Sequence, residues 1–406
     1  MNAPVNAPLH RKTGFADVDY QEAMRRAEAL IPLLREEAPE SERLTKLSPR
    51  AIHALHDSGL IRYMQPKRWG GMELDFVSMV DLPEMIARGD PSAAWTLTNL
   101  GGHHRLLSLW PEACQEEIWG ENPDMGIASG IAFVQGSGRR VDGGLVVSGK
   151  WGFSSGVDHS TWNMLACVVR EDDKPVDWCM CMIPETDYEI IDDWQTLGMR
   201  GTGSRSVQCK DVFVPAHRVV SFHSAKPGHA FPGHAVNTNP MYRIPLPAFA
   251  GYGIGACLLG AAKAALDLSI DLVKSRSTSY TAAKMRDFQT VQLRIGTAAA
   301  KIDCARTWMR SDCIEAHETI KAGRPFDLEM KLRYRRNGAV AVKLIVEAVD
   351  TLHEMAGANG IYDAYPIQRL FRDVHAGGAH INFSLDAQVP TWGLVALGGE
   401  FKSPTM

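Results

Sequence analysis

Apolar and polar positions divide the chain into three stretches with different periodicities. Between residues 20 and 122, apolar side chains recur at the three- and four-residue spacing of amphipathic helices, as in residues 22–31. Ser48 and Asp90 each precede a proline, which places a capping side chain just before a residue suited to a first helical turn. The first stretch therefore predicts an N-terminal helical domain over residues 20–122.

The second stretch, residues 123–233, consists of short β-rich runs separated by Gly, Asp and Pro turns, which is typical of a β domain. The clearest runs lie at residues 145–148, 163–169 and 178–183. Residues 211–215 are expected to form the closing strand of this domain.

The third stretch returns to helical periodicity and predicts a C-terminal helical domain over residues 234–406. Residues 223–240, rich in Gly, Pro, His and Asn, are predicted to form the loop that leads into it. Residues 1–19 are polar and contain Pro and Asn, so they are expected to form a flexible tail. A length of 406 residues agrees with several domains, since one core rarely grows that large.

Composition and charge exclude several classes of protein. With 45% hydrophobic and 22% charged residues and a net charge of −4, the chain has no basic surplus for nucleic acid or an anionic membrane. The uncharged run 244–262 contains prolines and glycines and is expected to form a buried helix rather than a membrane span. The eight cysteines are scattered without zinc spacing, which favours reduced thiols, a cytoplasmic location and no metal site.

The segment 149–156, Gly-Lys-Trp-Gly-Phe-Ser-Ser-Gly, places two adjacent hydroxyls in a frame of aromatic residues and glycines. Trp151 and Phe153 offer faces for stacking, and Ser154 or Ser155 can hydrogen-bond a ring nitrogen. The segment therefore indicates a site for a flat aromatic cofactor, while an exposed turn with its aromatic residues packed in the core is the alternative.

This segment resembles the flavin-contacting segment of the acyl-CoA dehydrogenase superfamily, and further segments match that superfamily in order. They are residues 198–204 leading to 211–215, and residues 357–360 followed by Arg369, Arg372 and Asp373. The resemblance implies an α+β fold with an N-terminal helical domain, a middle β-sandwich or barrel domain and a C-terminal four-helix bundle.

The chain lacks both a recognisable nicotinamide site and the usual catalytic base of an acyl-CoA dehydrogenase. A dinucleotide fingerprint needs Gly-x-Gly-x-x-Gly between a strand and a helix, whereas the only similar run, 251–255, lies inside a predicted helix and indicates close helix packing. Most acyl-CoA dehydrogenases carry a glutamate base nine residues after the arginine that matches Arg372. Here that residue is Ile381, which cannot remove a proton.

An acyl-CoA dehydrogenase stays open as an alternative, because some relatives carry the glutamate on an earlier helix. The family pattern Arg-x-x-Phe-Gly is also altered, at residues 276–280, so adenosine-side contacts are expected to differ. These departures fit better with a protein that receives reduced flavin from a separate NAD(P)H-dependent reductase.

A second branch of the superfamily, the two-component flavin-dependent monooxygenases, resembles the chain at dispersed positions. Examples are the oxygenase components of 4-hydroxyphenylacetate 3-hydroxylase and of secosteroid phenol hydroxylases. The matching residues are Trp95, His103, Ser129, Ser154, Arg243 and His380. Trp95, Asn99 and His103 also have the i, i+4, i+8 spacing of one helix face, provided that the helix continues through Gly101 and Gly102.

The resemblance implies a phenol hydroxylase of aromatic compound catabolism, which uses FMNH2 or FADH2 and dioxygen through a flavin C4a-hydroperoxide. An oxygenase of sulfur or nitrogen heteroaromatics and a non-catalytic flavin-binding protein remain as alternatives. The small aromatic substrate would lie between Trp95, Ser129 and the two histidines. His103, with a pKa near the working pH, would remove the phenolic proton, and His104 is its competitor.

The remaining roles also come from the resemblance. His380 would hydrogen-bond the departing oxygen, and Ser129 would orient the phenolic oxygen. Ser154 would meet flavin N5, with Ser155 as second choice, while Trp151 and Phe153 hold the ring. Arg243 would stabilise the developing anion or a flavin phosphate. Arg276, Gln289 and Gln292 match a helix on which the superfamily contacts flavin phosphate or adenine across a subunit interface, which implies a homotetramer.

Overall fold

The computed structural model describes residues 14–225, 229–278 and 281–403. Five α-helices come first: α1 (Tyr20–Leu44), α2 (Pro49–Asp57), α3 (Ser78–Ala87), α4 (Pro91–Leu107) and α5 (Glu112–Trp119). The side chains of Ser48 and Asp90 accept hydrogen bonds from the first turns of α2 and α4, each with proline at the start of the helix. The capping signals in the sequence are thus confirmed.

The segment before α1 differs from its prediction as a tail. Residues 1–13 lie outside the described part, but Phe15 and Val18 are buried, and the backbone N–H of Phe15 donates to the Gly70 carbonyl at 2.7 Å. The side chain of Asp19 then caps α1. A flexible tail as far as residue 19 is therefore wrong for residues 14–19, because their apolar side chains pack onto the helical domain.

Eight strands follow: β1 (Ile127–Gly130), β2 (Gly136–Val141), β3 (Gly144–Ser154), β4 (Trp162–Glu171), β5 (Lys174–Pro184), β6 (Glu189–Ile191), β7 (Arg205–Pro215) and β8 (Val219–Ser221). One path of pairings runs β6-β7-β3-β2-β4-β5-β8, and β1 joins β4 in parallel. The middle region is thus a single mixed sheet rather than two separate sheets. Residues 211–215 belong to β7 and are not the closing strand, since β8 follows and pairs with β5.

The last part of the chain contains α6 (Leu246–Phe249), α7 (Tyr252–Ser275), α8 (Gln289–Lys321), α9 (Leu328–Ala356), α10 (Ile367–Gly378) and α11 (Leu385–Ala396). The helices α7, α8, α9 and α10 pack together, and α11 packs on α9. A Cβ atom at Gly253 would lie 2.5 Å from the Thr98 side chain, which confirms close packing of α7 against α4. None of the helices in the described ranges is long and apolar enough to cross a membrane.

Helix α4 lies where the three parts of the fold meet. It packs against α3 in the first helical part, β1 in the sheet and α7 in the last helical part. Its N-terminal cap, Asp90, is itself buried. A side chain on α4 can therefore meet groups from the sheet and from the C-terminal helices at the same time.

Candidate active site

One face of α4 carries two of the predicted site residues, Trp95 and His103, together with Asn99. The helix continues through Gly101 and Gly102, so Trp95, Asn99 and His103 share that face, as their spacing predicted. Gly101 allows this, because a Cβ atom there would lie 2.5 Å from the Tyr63 ring. The Trp95 and His103 side chains therefore lie one above the other along α4.

His103 is fixed in one tautomer by the neighbouring strand. Its Nδ1 lies 2.7 Å from the carbonyl oxygen of Ile127 on β1, and because a carbonyl only accepts, Nδ1 carries the hydrogen. The unprotonated nitrogen is then Nε2. Burial of the side chain, which is 5% exposed, lowers the pKa of His103 to about 4.

This pKa corrects the expectation of a value near the working pH. Desolvation disfavours the imidazolium form more strongly than the Ile127 carbonyl favours it. His103 is therefore a neutral hydrogen-bond acceptor throughout the physiological range. Ser129 is also buried, two positions after Ile127 on β1.

His104, the competitor, is held in the helical domain. Its Nδ1 accepts a hydrogen bond from the indole nitrogen of Trp119 at 2.9 Å, and the two rings stack. The His104 side chain is fully buried. This arrangement gives His104 a structural role beside α5.

His380 approaches Trp95 from the C-terminal helices. Its Nδ1 accepts a hydrogen bond from the backbone N–H of Asn382 at 3.2 Å, so the ring hydrogen is on Nε2 in the neutral form. Burial lowers the pKa of His380 as well. The centres of the His380 and Trp95 rings are 6.2 Å apart, with an edge-to-face angle of 65°. The two histidines thus have opposite polarity, since His103 offers an acceptor and His380 a donor.

The hydroxyl of Ser155 belongs to a chain of hydrogen bonds that also holds Trp95. The Trp95 indole nitrogen lies 3.1 Å from Ser155 Oγ, which lies 2.7 Å from Ser204 Oγ. Ser204 Oγ lies 2.7 Å from Thr202 Oγ1, and Thr202 donates to the Met199 carbonyl at 2.8 Å. These contacts connect α4 to the segment that precedes β7.

The direction of this chain follows from its two ends. An indole N–H only donates and a carbonyl only accepts, and each hydroxyl has one hydrogen. Since Thr202 gives its hydrogen to Met199, Ser204 donates to Thr202 and Ser155 donates to Ser204. Ser155 can therefore only accept a further hydrogen bond.

Ser154 differs from its neighbour. It lies at the end of β3, fully buried, and its Oγ accepts a hydrogen bond from Asn163 Nδ2 at 2.9 Å. Its own hydrogen remains available to donate. Asn163 and Ser204 were missed in the sequence: Asn163 has no motif around it, and Ser204 was noted only as part of the segment 198–204.

The two aromatic residues of the 149–156 segment point in different directions. Trp151 is 0% exposed, and its indole N–H donates to the Ala166 carbonyl at 2.8 Å within the core of the sheet. The structure thus contradicts a stacking role for Trp151, because neither face of the ring is free. Phe153 is 74% exposed, has a left-handed φ of 63° and contacts Trp194 edge-to-face at 6.0 Å.

The surface around Phe153 fits a flat cofactor. A Cβ atom at Gly152 would meet, of the described atoms, only the Ser206 hydroxyl, at 3.7 Å, so the backbone beside Phe153 is open to approach. An exposed ring and an open backbone can pack against a flat aromatic cofactor, whereas the Ser154 hydroxyl is buried. Within the described ranges, no group of three His, Cys, Asp or Glu side chains is placed to hold a metal ion.

The predicted phosphate and adenine contacts lie farther along the chain. Arg243 is exposed, and its guanidinium donates to the carbonyls of His234 and Thr238, both at 3.2 Å. Arg276 follows α7 and donates to the Ala356 carbonyl at 3.0 Å. Gln289 begins α8 and is exposed. Ser279 and Tyr280, part of the altered family pattern, lie outside the described residues.

Comparison with known proteins agrees with this architecture. The family model for the acyl-CoA dehydrogenase C-terminal domain matches residues 252–385. A solved structure, that of 3-HSA hydroxylase from Rhodococcus sp. RHA1, superposes with a TM-score of 0.90 at 34% identity and covers 96% of this chain and 100% of its own. The fold is therefore that of the acyl-CoA dehydrogenase class of flavoproteins.

Curated relatives define the group within that class. The oxygenase subunit HsaA of a flavin-dependent monooxygenase from Rhodococcus jostii RHA1 is 36% identical over 94% of this chain and 98% of its own length. The oxygenase component of an FADH2-dependent resorcinol hydroxylase from Rhizobium sp. MTP-10005 is 32% identical over 93% and 94%. The chain belongs to the flavin-dependent monooxygenases, as an oxygenase component.

Proposed function

We propose that this chain hydroxylates a phenolic ring, with reduced flavin and dioxygen, in a pocket between Trp95, Ser129, His103 and His380. The opposite polarity of the two histidines carries the proposal: His103 Nε2 can accept the phenolic proton, and His380 Nε2 can donate to an oxygen. Relatives whose names include resorcinol hydroxylase and p-hydroxyphenylacetate 3-hydroxylase support a phenolic substrate.

The low pKa of His103 determines when the phenolic proton can be transferred. Because burial holds that pKa at about 4, and a free phenol titrates at about 10, complete transfer before the reaction is unfavourable. A phenol becomes much more acidic as its ring carbon bonds to oxygen. We infer that His103 Nε2 accepts a hydrogen bond from the phenolic hydroxyl before that step and takes the proton during it. Ser129 would orient the same oxygen.

The flavin ring would lie against Phe153, with Ser154 beside N5. When bound, reduced flavin supplies two electrons and activates dioxygen. N5 of reduced flavin carries a hydrogen, which the Oγ of either serine can accept. Ser154 is favoured because its own hydrogen also stays free for a second flavin atom, whereas the hydrogen of Ser155 is given to Ser204. Because Ser154 is buried, its contact with N5 requires the turn after β3 to move when flavin binds. The reduced flavin would be FMNH2 or FADH2, and the name of the resorcinol hydroxylase relative supports FADH2.

A partner must supply the reduced flavin, and oxygenase components of this kind imply a separate flavin reductase. We also propose a homotetramer, in which Arg243, Arg276, Gln289 and Gln292 meet a flavin phosphate or adenine, the last three across a subunit boundary. Several exposed apolar side chains on the C-terminal helices would be covered in that assembly: Leu293, Leu394 and Leu397. The eight unpaired cysteines fit a cytoplasmic location.

A reconstituted assay tests this function. The protein is supplied with a flavin reductase, NADH, FAD or FMN, and a panel of phenols under ¹⁸O₂. The expected product is a catechol-type phenol with one ¹⁸O atom per ring. Without the reductase, neither hydroxylation nor oxidation of NADH should occur. Unlabelled product, or NADH oxidation by the chain alone, would contradict the proposal.

A further inference from the structure

Gly102 leaves a gap on the helix face that carries Trp95 and His103. The structure describes all 17 residues of α4, and only Asn99 and Gly102 among them are not buried. A Cβ atom at Gly102 would have no described atom within 4 Å apart from its chain neighbours and the nearby backbone of α4 itself. Accessible space therefore lies beside the catalytic face of a helix that is otherwise enclosed.

The neighbouring glycine shows that this gap is local. At Gly101 a Cβ atom would collide with the Tyr63 ring at 2.5 Å, so that glycine is required for packing. At Gly102 an added Cβ atom would collide with no described neighbour, so packing does not require glycine there. Alanine would improve the helix there, since glycine in a helix interior costs about 1 kcal/mol relative to alanine.

Asn99 also leaves this face clear. Its Nδ2 donates to the Trp95 carbonyl at 2.8 Å, so the side chain folds back onto its own helix. Two neighbouring positions thus place little bulk between the Trp95 ring and the imidazole of His103. In the described residues, His103 Nε2 has no hydrogen-bond partner, although the side chain is only 5% exposed. The Nε2 atom is not one of the buried polar atoms that lack a partner, so it reaches the open space from an otherwise buried side chain. An accessible acceptor in that position points to a ligand.

The two histidines of the proposed pocket carry no charge near neutral pH. Burial keeps both His103 and His380 neutral at physiological pH. Arg105, the nearest cation along α4, is buried and donates to the Met241 and Ile244 carbonyls. A carboxylate substituent would therefore find no cationic partner among these three side chains, whereas an apolar group would lie along α4.

We propose that the face of α4 around Gly102 and Asn99 is a subsite for the bulky, uncharged substituent of the phenolic substrate, and that Gly102 determines its size. This rests on the proposed hydroxylation of a phenol. The enzyme should therefore prefer 4-phenylphenol to 4-methylphenol. It should also prefer 4-phenylphenol to 4′-hydroxybiphenyl-4-carboxylate.

Substitution of Gly102 by leucine tests the subsite in the enzyme reconstituted with reductase. The ratio of kcat/KM for 4-phenylphenol to that for 4-methylphenol should fall by at least about 10-fold, the usual effect of filling an apolar pocket by a few carbons. Gly393→Leu is the matched control, because Gly393 lies inside α11 and also has no described atom within 4 Å of a Cβ position. That control should keep the wild-type ratio.

Two measurements that need no turnover complete the test. Gly102→Ala should raise Tm, whereas Gly101→Ala should lower it. Equilibrium dialysis of 4-phenylphenol against the flavin-loaded protein should show at least about 10-fold weaker binding to Gly102→Leu. An unchanged ratio together with unchanged binding, a lower Tm for Gly102→Ala, or a preference for the carboxylate would overturn the subsite. Binding that is lost in Gly102→Leu, with no hydroxylation of any phenol by the wild type, would support the subsite and refute the proposed function.

Discussion

The hydrogen-bond chain through Ser155 makes a quantitative prediction about Trp95. Ser155→Ala removes the acceptor of a buried indole N–H, and a buried donor left without a partner costs about 1–3 kcal/mol. Ser204→Ala removes the acceptor of Ser155 and the donor to Thr202, but both of those neighbours are hydroxyls that can rotate towards another partner, so it should cost about 0.5–1.5 kcal/mol. We therefore expect Ser155→Ala to lower the free energy of unfolding more than Ser204→Ala does.

A double-mutant cycle isolates the contact between Trp95 and Ser155. Trp95→Phe removes the donor, so Ser155→Ala should cost less in that background, with a coupling of about 1 kcal/mol. Equilibrium urea unfolding followed by circular dichroism measures all four proteins. Because Trp95 is a wall of the proposed pocket, Ser155→Ala should also raise KM for the phenol. Additive costs, or equal costs for Ser155→Ala and Ser204→Ala, would refute this reasoning.

Three further predictions follow from the site. Ser154→Ala should release more hydrogen peroxide and less product per reduced flavin consumed; an unchanged ratio would assign the N5 contact to Ser155 or the backbone. Trp151→Phe should lower Tm, since the Ala166 carbonyl loses its donor in the core, yet leave the Kd for flavin unchanged; a weaker Kd would restore a cofactor role for Trp151. Folding depresses the pKa of His103 to about 4, so between pH 6.5 and about 4 the unfolded chain binds more protons and stability falls as the pH falls. His103→Asn should lessen that fall in urea titrations at pH 7 and pH 5, and an identical fall would contradict the assignment.

Local rules in the sequence were sufficient for much of the fold. Capping at Ser48 and Asp90, the three-part periodicity and the packing glycine at Gly253 depend on near neighbours or on steric size. The short strand β8 was missed because three residues carry too weak a pattern, and Phe15 was missed because its partners lie some fifty residues away.

The candidate site was predictable only in part. Spacing alone places Trp95 and His103 on one face, since a helix fixes that relation. The roles of Trp151 and Phe153 needed the structure, because the left-handed turn at Phe153 interrupts the alternation of β3 and decides which ring is buried. The pKa of His103 and the pairing of Ser155 with Ser204 depend on tertiary burial, which no local pattern reports.

The most direct test of the central claim follows product formation by His103→Ala in a single turnover as the pH is raised. If His103 Nε2 takes the phenolic proton, the variant should form product about 10²–10⁴-fold more slowly near neutral pH and release hydrogen peroxide instead. The rate should recover as the pH approaches the phenol pKa of about 10, because solvent then supplies phenolate. A product rate equal to that of the wild type, or a defect of the same size at every pH, would contradict the account.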